Sequence, residues 1–197
     1  GNTRLHWALN QNYSHEFSHT LINESLPKNV DFKKLIWASV GNYPTNNFLK
    51  KNQVTLKDIA LKNMPHFIGI DRALVCFAAL RMIENKLSKN LLIVDLGTTV
   101  SMTKIDYKGT ILGGQLFPGF TTQLKSMEQN TKNLVFPKKL FIPNNKFEIA
   151  TMSAMLRGVY NSITGAINKS FDKTKDILIL CGGDANLIGN SLKKEIK

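Results

Sequence analysis

The sequence has 197 residues, 43% of them hydrophobic and 20% charged, which is enough for one large domain or two small ones with a sizeable core. This composition excludes disordered, collagen-like and low-complexity proteins. Lysine and arginine outnumber aspartate and glutamate by 26 to 14, but the lysines are scattered without interleaved aromatic residues, so we expect no specific binding of nucleic acid. The longest apolar run, Ala73–Leu80, is well short of the roughly 20 residues that span a bilayer, so no membrane segment is expected.

The two cysteines, Cys76 and Cys181, each lie within an apolar stretch. This position predicts two reduced thiols in a core rather than a disulfide. The first seven residues lack the basic and then apolar order of a secretory signal. Because disulfides are rare in reducing compartments, both observations favour a cytoplasmic protein.

An internal similarity links the beginning of the chain to its middle, since Gly1–Leu5 resembles Gly97–Met102. Such a repeat predicts two related halves. In the second half the repeat follows an apolar strand, and because no such strand precedes the first copy, we expect the first half to begin inside an element. Further along, we predict a short strand at Leu35–Val40 and a very apolar helix, from Arg72 to about Lys86, that is buried on nearly all sides.

The second half predicts a three-stranded meander from about Leu91 to Leu116. Its apolar first strand, Leu91–Leu96, leads through a glycine turn into alternating residues, and a second turn at Asp106–Gly109 leads into the third strand. After the meander we predict a packed helix from Ile149 to Ile167, in the core or at a subunit interface, where Gly158 would permit the close approach of another backbone.

The last predicted elements are a buried strand at Ile177–Cys181, a turn at Gly182–Asp184 and a helix from Ala185 to Ile196. Strand meanders that alternate with helices, twice over, predict an α/β chain in two lobes. We place the boundary between these lobes so that they comprise residues 1–89 and 90–197.

The segment Asp95–Thr99 places a carboxylate at a strand end, followed by a glycine and two hydroxyl residues. The glycine would let backbone amides approach an anion, and the hydroxyls could donate to phosphate oxygens, so the functional interpretation is a phosphate or cation site. On its own, this pentapeptide is better explained as a hairpin with a capping aspartate. The matching Gly1–Thr3, together with Gly182–Gly183 after a buried strand, makes a nucleotide cleft the better interpretation.

A second candidate site, Gly69–Arg72, lies at the start of the apolar helix. Asp71 could accept a hydroxyl proton while the neighbouring guanidinium of Arg72 holds an anionic substrate. The structural alternative is that Asp71 is an N-capping residue, and these four residues taken alone favour the cap.

In their order and spacing, the motifs resemble those of the type III pantothenate kinases, the Bvg accessory factor-like branch of the acetate kinase, sugar kinase, Hsp70 and actin superfamily. The matching segments are Gly1–Thr3, Gly69–Arg72, Asp95–Thr98, Leu112–Gly119, Thr151–Gly158 and Gly182–Asp184. The resemblance implies an α/β fold of two ribonuclease H-like lobes with the nucleotide cleft between them. The sequence departs from the family pattern in lacking an aspartate before Gly1 and a substrate-contacting tyrosine upstream of Gly69.

The same resemblance implies a homodimeric enzyme that uses ATP and Mg²⁺ to phosphorylate pantothenate to 4'-phosphopantothenate, the first step of coenzyme A biosynthesis. Asp71 would be the catalytic base, and Asp95 would bind a monovalent cation, K⁺ or NH₄⁺. The pantothenate contacts would be Gly69, Ile70, Asp71, Arg72 and Thr151 of the partner subunit. The nucleotide contacts would be Gly1, Asn2, Thr3, Arg4, Leu5, His6, Thr98, Gly182 and Gly183. The alternative is a non-catalytic family member that acts as a regulatory or binding protein.

Overall fold

The computed structural model describes residues 4–11, 14–21, 31, 33–40, 50–83 and 88–195. The chain divides into two compact units. The first comprises Gly1–Ala60 and His66–Leu74, and the second comprises Leu61–Pro65 and Val75–Lys197. The lobe boundary that we infer from the sequence, between residues 89 and 90, remains a proposal.

The first unit contains an antiparallel hairpin of β1 (Arg4–Gln11) and β2 (Ser14–Leu21). Trp7 of β1 is buried, and its indole Nε1 donates a hydrogen bond of 3.1 Å to the hydroxyl of Thr20 across the hairpin. The first copy of the internal repeat therefore leads into a strand, as the second copy does.

The predicted strand at residues 35–40 is wrong. In the described residues of this region, Trp37 forms only a single parallel bridge, to Gln53. Gln53 lies between two short 3₁₀ turns, Lys50–Asn52 and Leu56–Asp58, so the segment beside Trp37 is not extended for long enough to form a ladder. An apolar, β-branched run predicts a strand only where a partner strand exists.

The second unit is built on a four-stranded mixed sheet, which bears out the predicted α/β class. Its strands are β3 (Asn90–Leu96), β4 (Thr99–Ile105), β5 (Ile111–Pro118) and β6 (Asp176–Cys181). The spatial order is β5-β4-β3-β6, in which the first three strands are antiparallel and β6 runs parallel to β3. Both the predicted meander and the predicted terminal strand are confirmed.

Helix α1 (Ile70–Ile83) precedes the sheet in the sequence. Three helices follow the meander: α2 (Phe120–Asn130), α3 (Thr151–Ser170) and α4 (Ala185–Glu195). The main core joins one face of β3 and β4 to α2, α3 and α4, and its fully buried members include Val94, Phe120, Leu156, Tyr160 and Ile188. The structure confirms the predicted helices near 149–167 and 185–196 but also contains α2, which the sequence analysis missed. None of the helices in the described ranges is long and apolar enough to cross a membrane.

Helix α1 is less buried than predicted. Its buried residues, Ile70, Ala73, Cys76 and Ala79, recur at every third position, whereas Met82 is 77% exposed. The expectation of burial on nearly all sides is therefore wrong. A uniformly apolar helix gives no sequence signal for which face is buried, because small residues such as alanine can lie on either face.

The amino-terminal end of the β3/β6 pair is held by a buried ion pair. The Asp176 carboxylate is fully buried and accepts a hydrogen bond of 2.7 Å from the Lys104 ammonium of β4. It also accepts the backbone amide of Asp172 at 2.8 Å. These donors compensate the cost of burying the carboxylate, and the Lys104 contact ties β4 to β6 at the end of the sheet opposite to Asp95.

Candidate functional site

Asp95 lies at the carboxyl end of β3, beside Ser101 of β4 and Cys181 of β6. The next residue along β6 is Gly182, whose φ of +90° is a conformation that other residues rarely adopt. A Cβ atom at Gly182 would collide with the Asp95 Oδ1 atom and with the carbonyl oxygen of Leu96. Glycine at this position therefore lets the β6 backbone pack closely against these two oxygen atoms of β3.

The Cys181 thiol is a neutral neighbour of Asp95. Burial, and secondarily the negative charge of Asp95, raises the pKa of Cys181 to about 12. The protonated thiol lies 3.6 Å from the Val94 carbonyl oxygen, to which it donates. Cys181 and the buried Cys76 are both reduced thiols, as the sequence predicts.

The ends of β3 and β6 converge on the start of α4. The Asp184 amide donates to the Leu96 carbonyl oxygen at 2.9 Å, and its own carbonyl accepts the Ile188 amide of the first helical turn. Burial raises the pKa of the Asp184 carboxyl. Carboxyl ends of parallel strands and the amino ends of the following helices are where α/β sheets bind anionic ligands, and Gly182 and Gly183 lie at this junction.

The turn between β3 and β4 contains Gly97 and Thr98, and the Thr98 side chain is exposed. The Thr98 carbonyl oxygen accepts the Gly119 amide at 2.9 Å and the Thr122 hydroxyl at 2.7 Å. A Cβ atom at Gly119 would overlap the carbonyl oxygen of Gly97. Neither Gly119 nor Thr122 is predicted from the sequence to have a role, although the Pro-Gly at the end of the Leu112–Gly119 motif is a signal for a close approach.

Asp71, in the first unit, lies within the first turn of α1 rather than at its N-cap. The helix begins at Ile70, and the Ala73 amide donates to the Gly69 carbonyl oxygen at 3.1 Å. The exposed Asp71 carboxylate accepts the Arg72 amide at 2.8 Å through Oδ1. The capping interpretation of Asp71 is therefore wrong, since the buried Ile70 begins the helix before it.

The Nε atom of Arg72 is buried and has no hydrogen-bond partner among the residues that the structure describes. An unpaired, buried guanidinium donor is costly, so an anionic ligand at this position would relieve that cost. Asp71 and Arg72 thus place a proton acceptor next to an anion-binding group within two residues.

The remaining predicted site residues are distributed as follows. Leu5 and His6 lie on β1, where the His6 ring is 6.4 Å from that of His19. Thr151 is the first residue of α3 and is exposed. Gly1, Asn2, Thr3 and the Arg4 side chain lie outside the described residues.

The structure thus brings Asp95, Thr98, Gly182 and Gly183 to one edge of the second unit's sheet, and Gly69, Ile70, Asp71 and Arg72 to the start of α1. In the described ranges, no group of three or more histidine, cysteine, aspartate or glutamate side chains could hold a metal ion. A cation at Asp95 would therefore depend on a single carboxylate together with backbone and ligand oxygens.

Comparison with known proteins connects these features to one family. Residues 45–173 match the family described as type III pantothenate kinase. A type III pantothenate kinase from Thermosynechococcus vestitus is 27% identical over 98% of this chain and 78% of its own length. Another, from Christiangramia forsetii, is 30% identical over 83% of this chain and 72% of its own length.

Among solved structures, a Baf family transcriptional activator from Campylobacter jejuni has a similar fold, with a TM-score of 0.55 and 24% sequence identity. The match covers 72% of this chain and 63% of that chain. At this identity the likeness concerns the fold alone.

Proposed function

This chain belongs to the type III pantothenate kinase family, and we propose that the two residue groups described above carry out the family's reaction. Members of this family are kinases that phosphorylate pantothenate with ATP, the first step of coenzyme A biosynthesis. ATP as phosphate donor, with a divalent metal, follows from that membership. The assignments of individual residues, the monovalent cation and the assembly are our proposals.

The proposed catalytic base is Asp71, and the observation that carries the assignment is its position beside Arg72. Oδ1 is held by the Arg72 amide, which leaves Oδ2 with no hydrogen-bond partner in the described part of the chain. Oδ2 would accept the proton of the pantothenate hydroxyl as that oxygen attacks the γ-phosphate of ATP. The guanidinium group of Arg72 would pair with the pantothenate carboxylate, with Gly69 and Ile70 beside it.

The proposed phosphate contacts are Thr98 on the β3–β4 turn and Gly182–Gly183 before α4. Phosphoryl transfer requires an aligned donor and acceptor and neutralisation of the developing charge, rather than covalent chemistry by the protein. An exposed hydroxyl and the amino end of a helix are suited to that task. The segment from Gly1 to His6 completes the proposed nucleotide contacts.

The proposed monovalent cation site is the Asp95 carboxylate at the carboxyl end of β3, next to Gly182. The Asp95 carboxylate and the Leu96 carbonyl oxygen both lie close to Gly182, so the groups offered here are oxygen atoms, which suits a large, weakly hydrated ion such as K⁺ or NH₄⁺. When bound there, the ion would supply positive charge next to the transferring phosphate. Mg²⁺, which keeps several waters and prefers phosphate oxygens, would be held mainly by ATP.

We also propose a homodimer that contacts its partner through the start of α3. Three apolar side chains at this position are solvent-exposed: Phe147 by 93%, Ile149 fully and Met152 by 42%. Clustered exposed apolar residues of this size usually mark an interface. Thr151 lies among them, which supports its proposed contact with the pantothenate bound by the partner subunit.

The two-lobed, ribonuclease H-like architecture and a cytoplasmic location complete the proposal. The strand order β5-β4-β3-β6, with a single parallel pair, supports such a lobe for the second unit. The presence of Asp71, Arg72 and Asp95, the groups that this chemistry needs, argues against the alternative of a non-catalytic binding protein.

The test is a kinase assay of the purified chain with ATP, Mg²⁺, K⁺ and pantothenate, which measures ADP release and 4'-phosphopantothenate by mass spectrometry. We expect both products, and we expect little turnover when Na⁺ replaces K⁺. Asp95→Asn should abolish the preference for K⁺. Full activity in Na⁺ buffer, or an unchanged K⁺ requirement in Asp95→Asn, would overturn the cation site, and ADP release that does not depend on pantothenate would overturn the substrate.

A further inference from the structure

The Thr98 carbonyl oxygen receives two hydrogen bonds from the first turn of α2. The Gly119 amide donates at 2.9 Å and the Thr122 hydroxyl at 2.7 Å. We propose that Thr122 is a positioning residue that holds the Gly97–Thr98 turn in the conformation that binds the phosphates of ATP. This inference rests on the phosphate-binding role proposed above for Thr98.

The two bonds fix the orientation of the peptide unit between Thr98 and Thr99. A carbonyl oxygen has two lone pairs and can accept two hydrogen bonds, and the Thr98 oxygen accepts two. Because a trans peptide is planar, its C=O and N–H groups point in opposite directions. With the Thr98 oxygen held toward α2, the Thr99 amide is directed to the other side of the turn, and the Thr98 side chain remains exposed.

The position of Thr122 explains why its hydroxyl can make this contact. Gly119 is the N-cap of α2 and lacks a side-chain cap, and Thr122 is the third helical residue. A polar side chain at this third position commonly reaches back to the N-cap amide. In this chain the Gly119 amide is already bonded to the Thr98 oxygen, and the Thr122 hydroxyl donates to that same oxygen.

The first turn of α2 is itself anchored, so Thr122 donates from a fixed element. The Gln123 side chain donates to the Pro118 carbonyl oxygen at 2.8 Å and accepts the Ser162 hydroxyl of α3 at 2.8 Å. A polar contact positions a functional turn only when its donor is held by a second set of contacts. Gln123 and Ser162 provide that second set.

The experiment compares three variants in the full chain. Thr122→Val keeps the side-chain shape and removes the donor, Thr122→Ser retains a hydroxyl, and Thr121→Val is the matched control. The Thr121 hydroxyl, in the same helical turn, makes no hydrogen bond with the described residues. The readouts are kcat, KM for ATP and for pantothenate, the Kd of Mg·ATP by calorimetry, and the thermal midpoint.

We expect Thr122→Val to raise KM and Kd for ATP by roughly three- to tenfold, the effect of losing one neutral hydrogen bond. KM for pantothenate should stay at its wild-type value, the thermal midpoint should fall only slightly because one exposed hydrogen bond is lost, and Thr122→Ser and Thr121→Val should resemble the wild type. If Thr122→Val matches Thr121→Val or raises both KM values equally, the positioning role is wrong. If the wild type binds ATP but does not phosphorylate pantothenate, the substrate assignment fails, and the ATP Kd series still decides the role of Thr122.

Discussion

At the scale of single residues, Asp71 is the side chain on which the proposed chemistry depends most. Asp71→Asn keeps the hydrogen bond from the Arg72 amide but removes the proton acceptor, so we expect turnover to fall by roughly 100-fold or more with the Kd for ATP unchanged. Asp31→Asn, which alters another exposed carboxylate of the first unit, is the matched control. An Asp71→Asn variant that retains most of its turnover would exclude Asp71 as the base.

Asp184 gives a prediction about pH. Burial raises the pKa of its carboxyl, so the native state binds a proton more readily than the unfolded state, and the stability that this residue contributes falls as pH rises from about 3.8 through the raised pKa. Asparagine caps the N-terminus of a helix about as well as aspartate does, and it carries no charge. Asp184→Asn should therefore be more stable than the wild type at pH 7, with the difference shrinking as the pH falls.

Urea unfolding at several pH values from about 2.5 to 8 measures this trend, because the range must extend below the unfolded-state value of 3.8. Asp172→Asn is the control of opposite sign, because hydrogen bonds from Thr174 lower the pKa of Asp172. Its carboxylate stabilises the native state at neutral pH, so Asp172→Asn should be less stable than the wild type at pH 7, and this deficit should shrink only as the pH falls through 3.8 and the lowered pKa. A pH-independent effect of Asp184→Asn would contradict the assignment.

The sequence predicts some of these residues well and others poorly. The proximity of Asp95 and Gly182 is predictable because each lies at the carboxyl end of an apolar strand. The carboxyl ends of parallel strands lie at the same edge of a sheet. The contact of Thr122 with Thr98 could not be predicted, since it depends on where α2 packs. For Asp71, the segment Gly69–Arg72 favours an N-cap. In the structure Ile70 is buried and the helix begins at that residue, one position before Asp71.

At the scale of elements, the buried pair of Asp176 and Lys104 joins β6 to β4 across the start of β3. Asp176→Ala would leave the Lys104 ammonium without its carboxylate, and we expect a loss of about 3 kcal/mol in the free energy of unfolding. The lower end of the usual range applies because the Lys104 side chain is 31% exposed. Urea unfolding measures this loss.

The matched control for that prediction is the exposed pair of Lys175 and Asp172, whose side chains are 75% and 40% exposed and 3.6 Å apart. Lys175→Ala should change the stability by less than about 0.5 kcal/mol, as exposed pairs usually do. Equal losses in Asp176→Ala and Lys175→Ala would show that the buried pair does not hold the strands.

Elements were predictable where the local pattern and the tertiary contacts agree. The meander of β3 to β5 has clear alternation of apolar and polar residues and glycine turns, and each of its strands pairs with the next strand in the sequence. Helix α2 was missed because its buried residues, Phe120 and Leu124, are too few to make a periodic pattern obvious. The run at residues 35–40 has the composition of a strand, but among the described residues it forms only the Trp37–Gln53 bridge.

At the scale of the whole molecule, we expect a homodimer at micromolar concentration. Ile149→Lys places a charge in the exposed apolar cluster and should weaken the dimer by at least about tenfold, with a parallel loss of activity because Thr151 would no longer reach the partner's substrate. Leu112→Lys, at a 54% exposed position on β5, should leave the dimer intact. Sedimentation velocity distinguishes the species, and a single species of 22.1 kDa in the wild type would contradict the prediction.

The pairing of β3 with β6 has a consequence for how the chain is made. Asn90 pairs with Asp176, so the ribosome must synthesise the meander, α2 and α3 before β3 meets its parallel neighbour. At roughly 5–20 residues per second, this takes several seconds, during which one edge of a strand with the sequence Leu-Leu-Ile-Val has no partner. An unpaired apolar edge is a template for association with other chains. The nascent chain is therefore most vulnerable to aggregation during that interval, when a chaperone that covers β3 would help most.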